Sequence, residues 1–305
     1  MPTDAHQRVL ALGSRRADHH HGRHRGPRRW GRTLLALVLA LGLIGGGLYA
    51  AVNFIGIDAT VVRQKCTALV GSTLHTLSPD QTSNAAVIAA VAGKRGMPTR
   101  AATIGIATSM QESKLTNIDY GDNAGPDSRG LFQQRPSMGW GTEAQVQDPV
   151  YAANRFFQEL ETFDYQSMAL TDAAQKVQRS AYPGAYAQHE EKASAFASAL
   201  TGASPSTLNC TLRPAEAAGS AEVVAADLLE ATGKDAKGIS GNRVRIPVRG
   251  QQGWAIAQWA VANAQKHNTE SVSYAGLVWN RSEGRWVPAA TTDGYVIISL
   301  AGSPQ

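Results

Sequence analysis

Twenty consecutive residues, Thr33–Val52, carry no charge and are rich in Leu, Ala and Gly. A helix rises about 1.5 Å per residue, so the run reaches roughly 30 Å, the thickness of a bilayer's hydrocarbon core. Arg23, Arg25, Arg28, Arg29 and Arg32 crowd its N-terminal side, whereas Asp58, Arg63 and Lys65 follow it with mixed sign. The positive-inside rule then predicts a single-pass protein of the cell membrane. Residues 1–32 are its cytoplasmic tail, 33–54 a transmembrane anchor within the lipid bilayer, and everything beyond lies outside. The alternative is a cleaved signal peptide, for which Tyr49-Ala50-Ala51 offers small residues. The long tail and the length of the apolar run favour an uncleaved anchor.

The formal net charge of +5 conceals an uneven distribution. Residues 1–32 hold eight arginines against Asp4 and Asp18, which is +6, so the remainder is about −1. A folded nucleic-acid-binding domain would carry its own basic face, and none is evident, so no nucleic acid is expected as a partner. The tail is suited instead to anionic lipid headgroups. His19-His20-His21 with His24 would give metal no defined geometry there. The two cysteines, Cys66 and Cys210, both fall on the predicted outer side, where disulfides persist. A bridge between them would enclose the central region and stabilise it by roughly 4–5 kcal/mol on the chain-entropy model; two free thiols are the other possibility.

Residues 55–77 read as a stalk. Ser78-Pro79-Asp80-Gln81 then has the form of a capping box with proline at the first helical position. A helix follows and ends near Gly93–Gly96, and Pro98-Thr99 opens a second that runs to Leu115. Residues 117–137 are rich in Gly, Asp, Asn and Pro, hence loop. Asp148-Pro149 starts a third helix with Phe156, Phe157 and Leu160 at helical spacing. Thr171 caps a fourth, and Pro183 opens a fifth that runs to Leu200. Residues 78–202 are therefore expected to form an all-α domain. Residues 203–241 read as an Ala-, Gly- and Ser-rich linker with a short helix at Ala221–Ala231. Residues 242–305 read as a small α+β module, with a helix at Gly253–His267 and strands at Val272–Asn280, Arg285–Val287 and Tyr295–Leu300.

Glu112 is a lone carboxyl at the end of the apolar helical run Ile104–Leu115. Burial there would disfavour its charged form and let it hold a proton near neutral pH, as a glycosidase's general acid must. Three segments keep register around it: Met110-Gln111-Glu112-Ser113-Lys114-Leu115, Ser128-Arg129-Gly130-Leu131-Phe132-Gln133-Gln134-Arg135-Pro136, and Asp148-Pro149-Val150-Tyr151-Ala152-Ala153-Asn154. On helix, loop and helix, they resemble the lysozyme-like lytic transglycosylase superfamily. Gly139-Trp140-Gly141 and Val177-Gln178-Arg179-Ser180-Ala181-Tyr182-Pro183 resemble lysozyme-like domains of actinobacterial envelope and phage-tail proteins.

The resemblance implies a peptidoglycan partner and cleavage of the bond between MurNAc and GlcNAc. Glu112 would first give a proton to the glycosidic oxygen and then, as a base, take one from the MurNAc 6-hydroxyl. It also implies that Ser113 and Gln133 line the subsites and that Tyr182 hydrogen-bonds the acid. In the bacterial soluble enzymes a Tyr-Asn-Gly run usually stands where this chain has Tyr182-Pro183-Gly184. Tyr120 and Trp140 could stack on sugar faces, with core packing the other reading of Trp140. A hydrolase would need a second carboxylate, for which Asp119, Asp122 and Asp127 are candidates. The competing expectation is an inactive wall-binding or scaffold protein of an envelope-spanning machine.

Trp254–Leu300, with Ala257-Gln258-Trp259-Ala260-Val261-Ala262-Asn263-Ala264 and Tyr274-Ala275-Gly276-Leu277-Val278-Trp279, resembles a C-terminal domain of actinobacterial wall hydrolases, some of which end in an Asp-His-x-His strand. Here that strand reads Asp293-Gly294-Tyr295-Val296-Ile297-Ile298-Ser299. It has no histidine to ligate zinc, so neither metal nor cofactor is expected. His267 reads as a surface residue.

Overall fold

The structure, a computed structural model, describes residues 30–54, 63–123, 125–180 and 183–302. The arginine and histidine tail up to residue 29 and the N-terminal part of the expected stalk lie outside the described residues. The chain divides into Met1–Val61 and Val62–Gln305.

In the first unit, helix α1 (Trp30–Phe54) occupies the apolar run, as its Leu and Ala content favours. Among the described residues no helix is long and apolar enough to cross a membrane. The expected transmembrane helix is corrected accordingly.

The second unit corrects the other half of the expected architecture, because the helical region is not all-α. It begins with a hairpin, β1 (Lys65–Val70) and β2 (Thr73–Leu77), inside the segment that read as a stalk. Helices α2 (Pro79–Lys94) and α3 (Thr99–Ser113) follow, then α4 (Glu143–Gln147), α5 (Pro149–Leu160), α6 (Leu170–Gln178) and α7 (Glu190–Leu200). Strand β3 (Asn209–Thr211) then returns to pair antiparallel with β1, giving a three-stranded sheet in the order β2-β1-β3. The sheet escaped notice because its inward residues, Cys66 and Ala68, are small, and because β1 finds β3 more than 140 positions later.

The remainder comprises α8 (Ala221–Thr232), β4 (Gly238–Ser240), β5 (Arg243–Pro247), α9 (Gly250–Ala262), β6 (Thr269–Tyr274), β7 (Leu277–Asn280), β8 (Arg285–Pro288) and β9 (Tyr295–Leu300). Its strands form a six-stranded antiparallel sheet in the order β4-β5-β9-β6-β7-β8. The single strand expected over Val272–Asn280 is two, because Ala275 (φ 47°) and Gly276 (φ 80°) turn the chain back in a two-residue hairpin. Val244, Ile246, Val272, Trp279, Val296 and Ile298 alternate inward along the strands and are buried. His267, expected at the surface, is also buried, and that burial pushes its imidazole down to about 4.

Helix starts follow local chemistry. At α2 the Ser78 hydroxyl accepts from the Gln81 amide while the Gln81 side chain accepts from the Ser78 amide, with Pro79 at the first position. At α5 the Asp148 carboxylate accepts from the Tyr151 amide at 2.7 Å, ahead of an inward face of Ala152, Ala153, Phe156, Phe157 and Leu160.

Buried polar groups join the helices to the larger sheet. Gln258, fully buried on α9, accepts from the amides of Thr207 and Leu208 at 3.0 and 2.8 Å. Its own amide donates to the carbonyls of Ala199 and Ser204 at 2.6 and 3.0 Å. Arg281, 5% exposed, donates to the carbonyls of Arg213, Ala264 and Thr269. The Trp286 indole of β8 donates to Leu208 O at 3.0 Å. Cys66 and Cys210, opposite one another in the β1–β3 register, form a disulfide that is fully buried.

Two stability predictions follow. The double variant Cys66→Ser, Cys210→Ser should lose about 4–5 kcal/mol, read as a lower urea midpoint than the oxidised wild type; an unchanged midpoint would contradict it. Gln258→Leu strands two amides and two carbonyls and should cost about 3–5 kcal/mol; a loss below about 1 kcal/mol would mean that water takes over its bonds.

Candidate functional site

Helix α3 is buried along nearly its whole length, from Ala101 to Met110 and again at Ser113. Gly105 lets it approach its neighbours, since a Cβ there would lie 2.9 Å from Ile88 Cγ2 and 3.0 Å from Phe157 Cζ. Glu112 is in the last turn, where the helix emerges, and is half-buried.

The chain leaves that turn through two consecutive non-glycine residues in the left-handed region, Lys114 (φ 55°) and Leu115 (φ 56°). Each costs on the order of 1 kcal/mol and persists only where its surroundings impose it. The first two turns of α2 supply that: Gln81 Nε2 donates to Lys114 O at 2.9 Å, and Asn84 Nδ2 to Leu115 O at 2.8 Å. Leu115 itself is buried.

Ser113 faces inward. Its hydroxyl lies 2.8 Å from Leu131 O and 3.1 Å from Ser109 O, which binds the end of α3 to the Gly130–Gln133 segment. That segment needs its glycine: Gly130 has φ +76°, and a Cβ on it would fall 2.2 Å from Val146 O. Leu131 and Phe132 are buried, and Phe132 stacks on Phe156 at 4.6 Å. Gln133 (φ 50°) follows as a half-buried residue of the cleft wall.

Glu112 opens onto a cleft of about 690 Å³ that is also lined by Asp122, Gln133, Trp140, Arg155, Phe163, Lys176, Gln178 and Arg179. The hydroxyl of Tyr186, a fully buried residue in a 3-10 turn over Pro183–His189, donates to Glu112 Oε1 at 2.6 Å. Gln178 also hydrogen-bonds the carboxyl, and donates to Phe132 O at 2.8 Å. Burial raises the pKa of Glu112; the bonds from Tyr186 and Gln178 pull it down by less, so it stands above the ordinary glutamate value. The Tyr186 hydroxyl is pushed up by burial and by the neighbouring carboxylate, so it remains a donor. The arrangement can hold a proton beside a cleft, release it, and keep the resulting carboxylate oriented.

The other sequence candidates fall into two groups. Gln133, Trp140 and Asp122 border the cleft with Glu112, and Arg155 stands 5.7 Å from the Trp140 ring centre. Tyr120 and Asp119 are exposed and are not among the cleft's lining residues. Asp127 is committed elsewhere: it pairs with Arg135 Nε at 2.9 Å and accepts from the Ser137 amide at 2.9 Å. The hydrogen bonds from Ser137, backed by Arg135, hold it well below the usual carboxylate range. Tyr182 lies outside the described residues. The residue that sequence reasoning missed is Tyr186, four positions later; its signal is a lone aromatic in the small-residue run Gly184-Ala185-Tyr186-Ala187 before α7. Among the described residues no group of His, Cys, Asp and Glu is placed to hold a metal ion.

No protein-family model matches the chain and no curated protein is significantly similar to it.

Removing the tyrosine hydroxyl removes a bond to the charged form, so Tyr186→Phe should raise the pKa of Glu112 further. Carboxyl carbon NMR titration checks this, and a fall would refute the assignment. The same shift has a consequence for stability. A carboxyl whose folded pKa is raised favours folding most below its unfolded pKa, and that contribution is lost as pH rises through the folded value. Glu112→Gln should therefore be more stable than wild type at neutral pH, with the gap closing as pH falls from the raised folded value to the ordinary glutamate value; a gap independent of pH would contradict it.

Proposed function

We propose that this cleft cleaves peptidoglycan glycan strands between MurNAc and GlcNAc, with Glu112 as its single acid/base. The observation that carries the reading is a half-buried carboxyl of raised pKa, held by Tyr186 and opening onto a cleft of about 690 Å³. The sequence resemblance to lytic transglycosylases supports it.

Protonated Glu112 gives its proton to the glycosidic oxygen as the C1–O bond breaks, releasing the GlcNAc side with a new hydroxyl. The carboxylate that remains takes the proton from the MurNAc 6-hydroxyl while that oxygen bonds to C1. The products are the shortened strand and a 1,6-anhydro end, and the acid regains its starting state without consuming water. Tyr186, always a donor, serves the middle of the cycle, when Glu112 is charged. Hydrolysis would need a second carboxylate across the sugar. Of the three sequence candidates, Asp127 is held by Arg135 and Ser137, Asp119 is away from the cleft, and Asp122 borders it; Glu159, also on the lining, is paired with Arg155. The anhydro route is accordingly favoured.

Mass spectrometry of muropeptides released by the full-length protein tests this. Wild type should produce anhydro-MurNAc ends, and Glu112→Gln should fall by at least about 10³-fold, in line with loss of the only acid/base group. Reducing ends in place of anhydro ends would mean hydrolysis. Binding to sacculi without turnover by wild type would mean a scaffold that kept the fold.

A further inference from the structure

We infer that the C-terminal end of α6 is an anion subsite, where Lys176 and Arg179 receive a carboxylate carried by the glycan bound in the cleft. This rests on the cleft being the glycan site proposed above. Of the four cations that the described residues place on the cleft wall, two pair with carboxylates: Arg135 with Asp127 at 2.9 Å, and Arg155 with Glu159 at 3.3 Å. Lys176 has its ammonium 4.3 Å from the Phe163 ring centre, and Arg179 is exposed at the left-handed residue that ends α6 (φ 53°). Among the described residues neither forms an ion pair with a carboxylate.

The macrodipole favours cations near a helix C-terminus by about 0.3–1 kcal/mol. That accounts for their being near the end of α6, but not for both lining the cleft that holds Glu112. Gln178, between them in sequence, hydrogen-bonds Glu112 and Phe132 O and so ties this turn to the acid. An anion held there is therefore carried by the part of the strand bound in the cleft of Glu112. With Glu112 protonated, the lining carries Arg135, Arg155, Lys176 and Arg179 against Asp122 and Glu159, and the excess is positive. A neutral oligosaccharide gains nothing from this excess. A muramyl glycan gains from it when the peptide stems on its lactyl groups keep free carboxylates.

The test is binding by the full-length Glu112→Gln protein, which needs no turnover. Two probes are compared: soluble glycan strands with free stem carboxylates, and the same strands with those carboxylates amidated. The free-acid strands should bind about tenfold tighter at 50 mM salt, with a smaller preference at 300 mM. The added substitutions Lys176→Gln and Arg179→Gln should abolish the preference, so that free-acid and amidated strands bind the variant equally. Equal affinity for the two probes, or a preference that survives both substitutions, would overturn the subsite. The two readings separate cleanly. Charge preference without cleavage by wild type would keep the subsite and discard the acid/base role. Cleavage without charge preference would do the reverse.

Discussion

Helix α3 must be covered on every side, and the other helices are arranged to do it. Its residues from Ala101 to Met110 leave no face for water, so α2, α5, α6 and α7 pack around it, together with the turn that carries Tyr186. The covering thins in its last turn, where Glu112 is half-buried. Burial sufficient to lift its pKa is thus a by-product of the packing that builds the domain. The close approach at Gly105 belongs to the same constraint: a bulkier residue there would push α2 and α5 away from α3 and shift the acid with them.

The carboxyl is also positioned by polar contacts that reach it from separate parts of the chain. Tyr186 and Gln178 bond it directly, and Ser113 binds its helix end to the Leu131 segment. Gln81 and Asn84 hold the strained turn behind it. Gln81 does so while also completing the cap of α2, so the start of one helix and the end of the next share a side chain. Such sharing fixes the acid's position, and the left-handed backbone at Lys114 and Leu115 is part of its cost.

Local chemistry was readable from sequence, and long-range pairing was not. The caps at Ser78–Gln81 and Asp148-Pro149 stand where their residue types place them. Gln133 and Trp140 line the cleft with Glu112. The three-stranded sheet was invisible because each of its strands is short and its inward residues are small. Asp127 was a fair candidate on composition, but Arg135 claims it through a loop geometry that spacing does not reveal. Tyr186 reaches the acid through the fold of its own turn, which nothing in the local sequence reveals. Gln258 and Arg281 gave no signal, since a polar residue reads as exposed until its partners are assembled around it.

The disulfide between β1 and β3 has a mechanical consequence. It joins the first strand of the second unit to the last strand before the larger sheet, and every helix that surrounds Glu112 lies inside the closed loop. Tension applied before Cys66 and after Cys210 passes through the sulfur bridge and bypasses the enclosed polypeptide. A protein pulled from its two ends would thus yield first in its flanks, in α1 or in the larger sheet, while the cleft stayed unloaded.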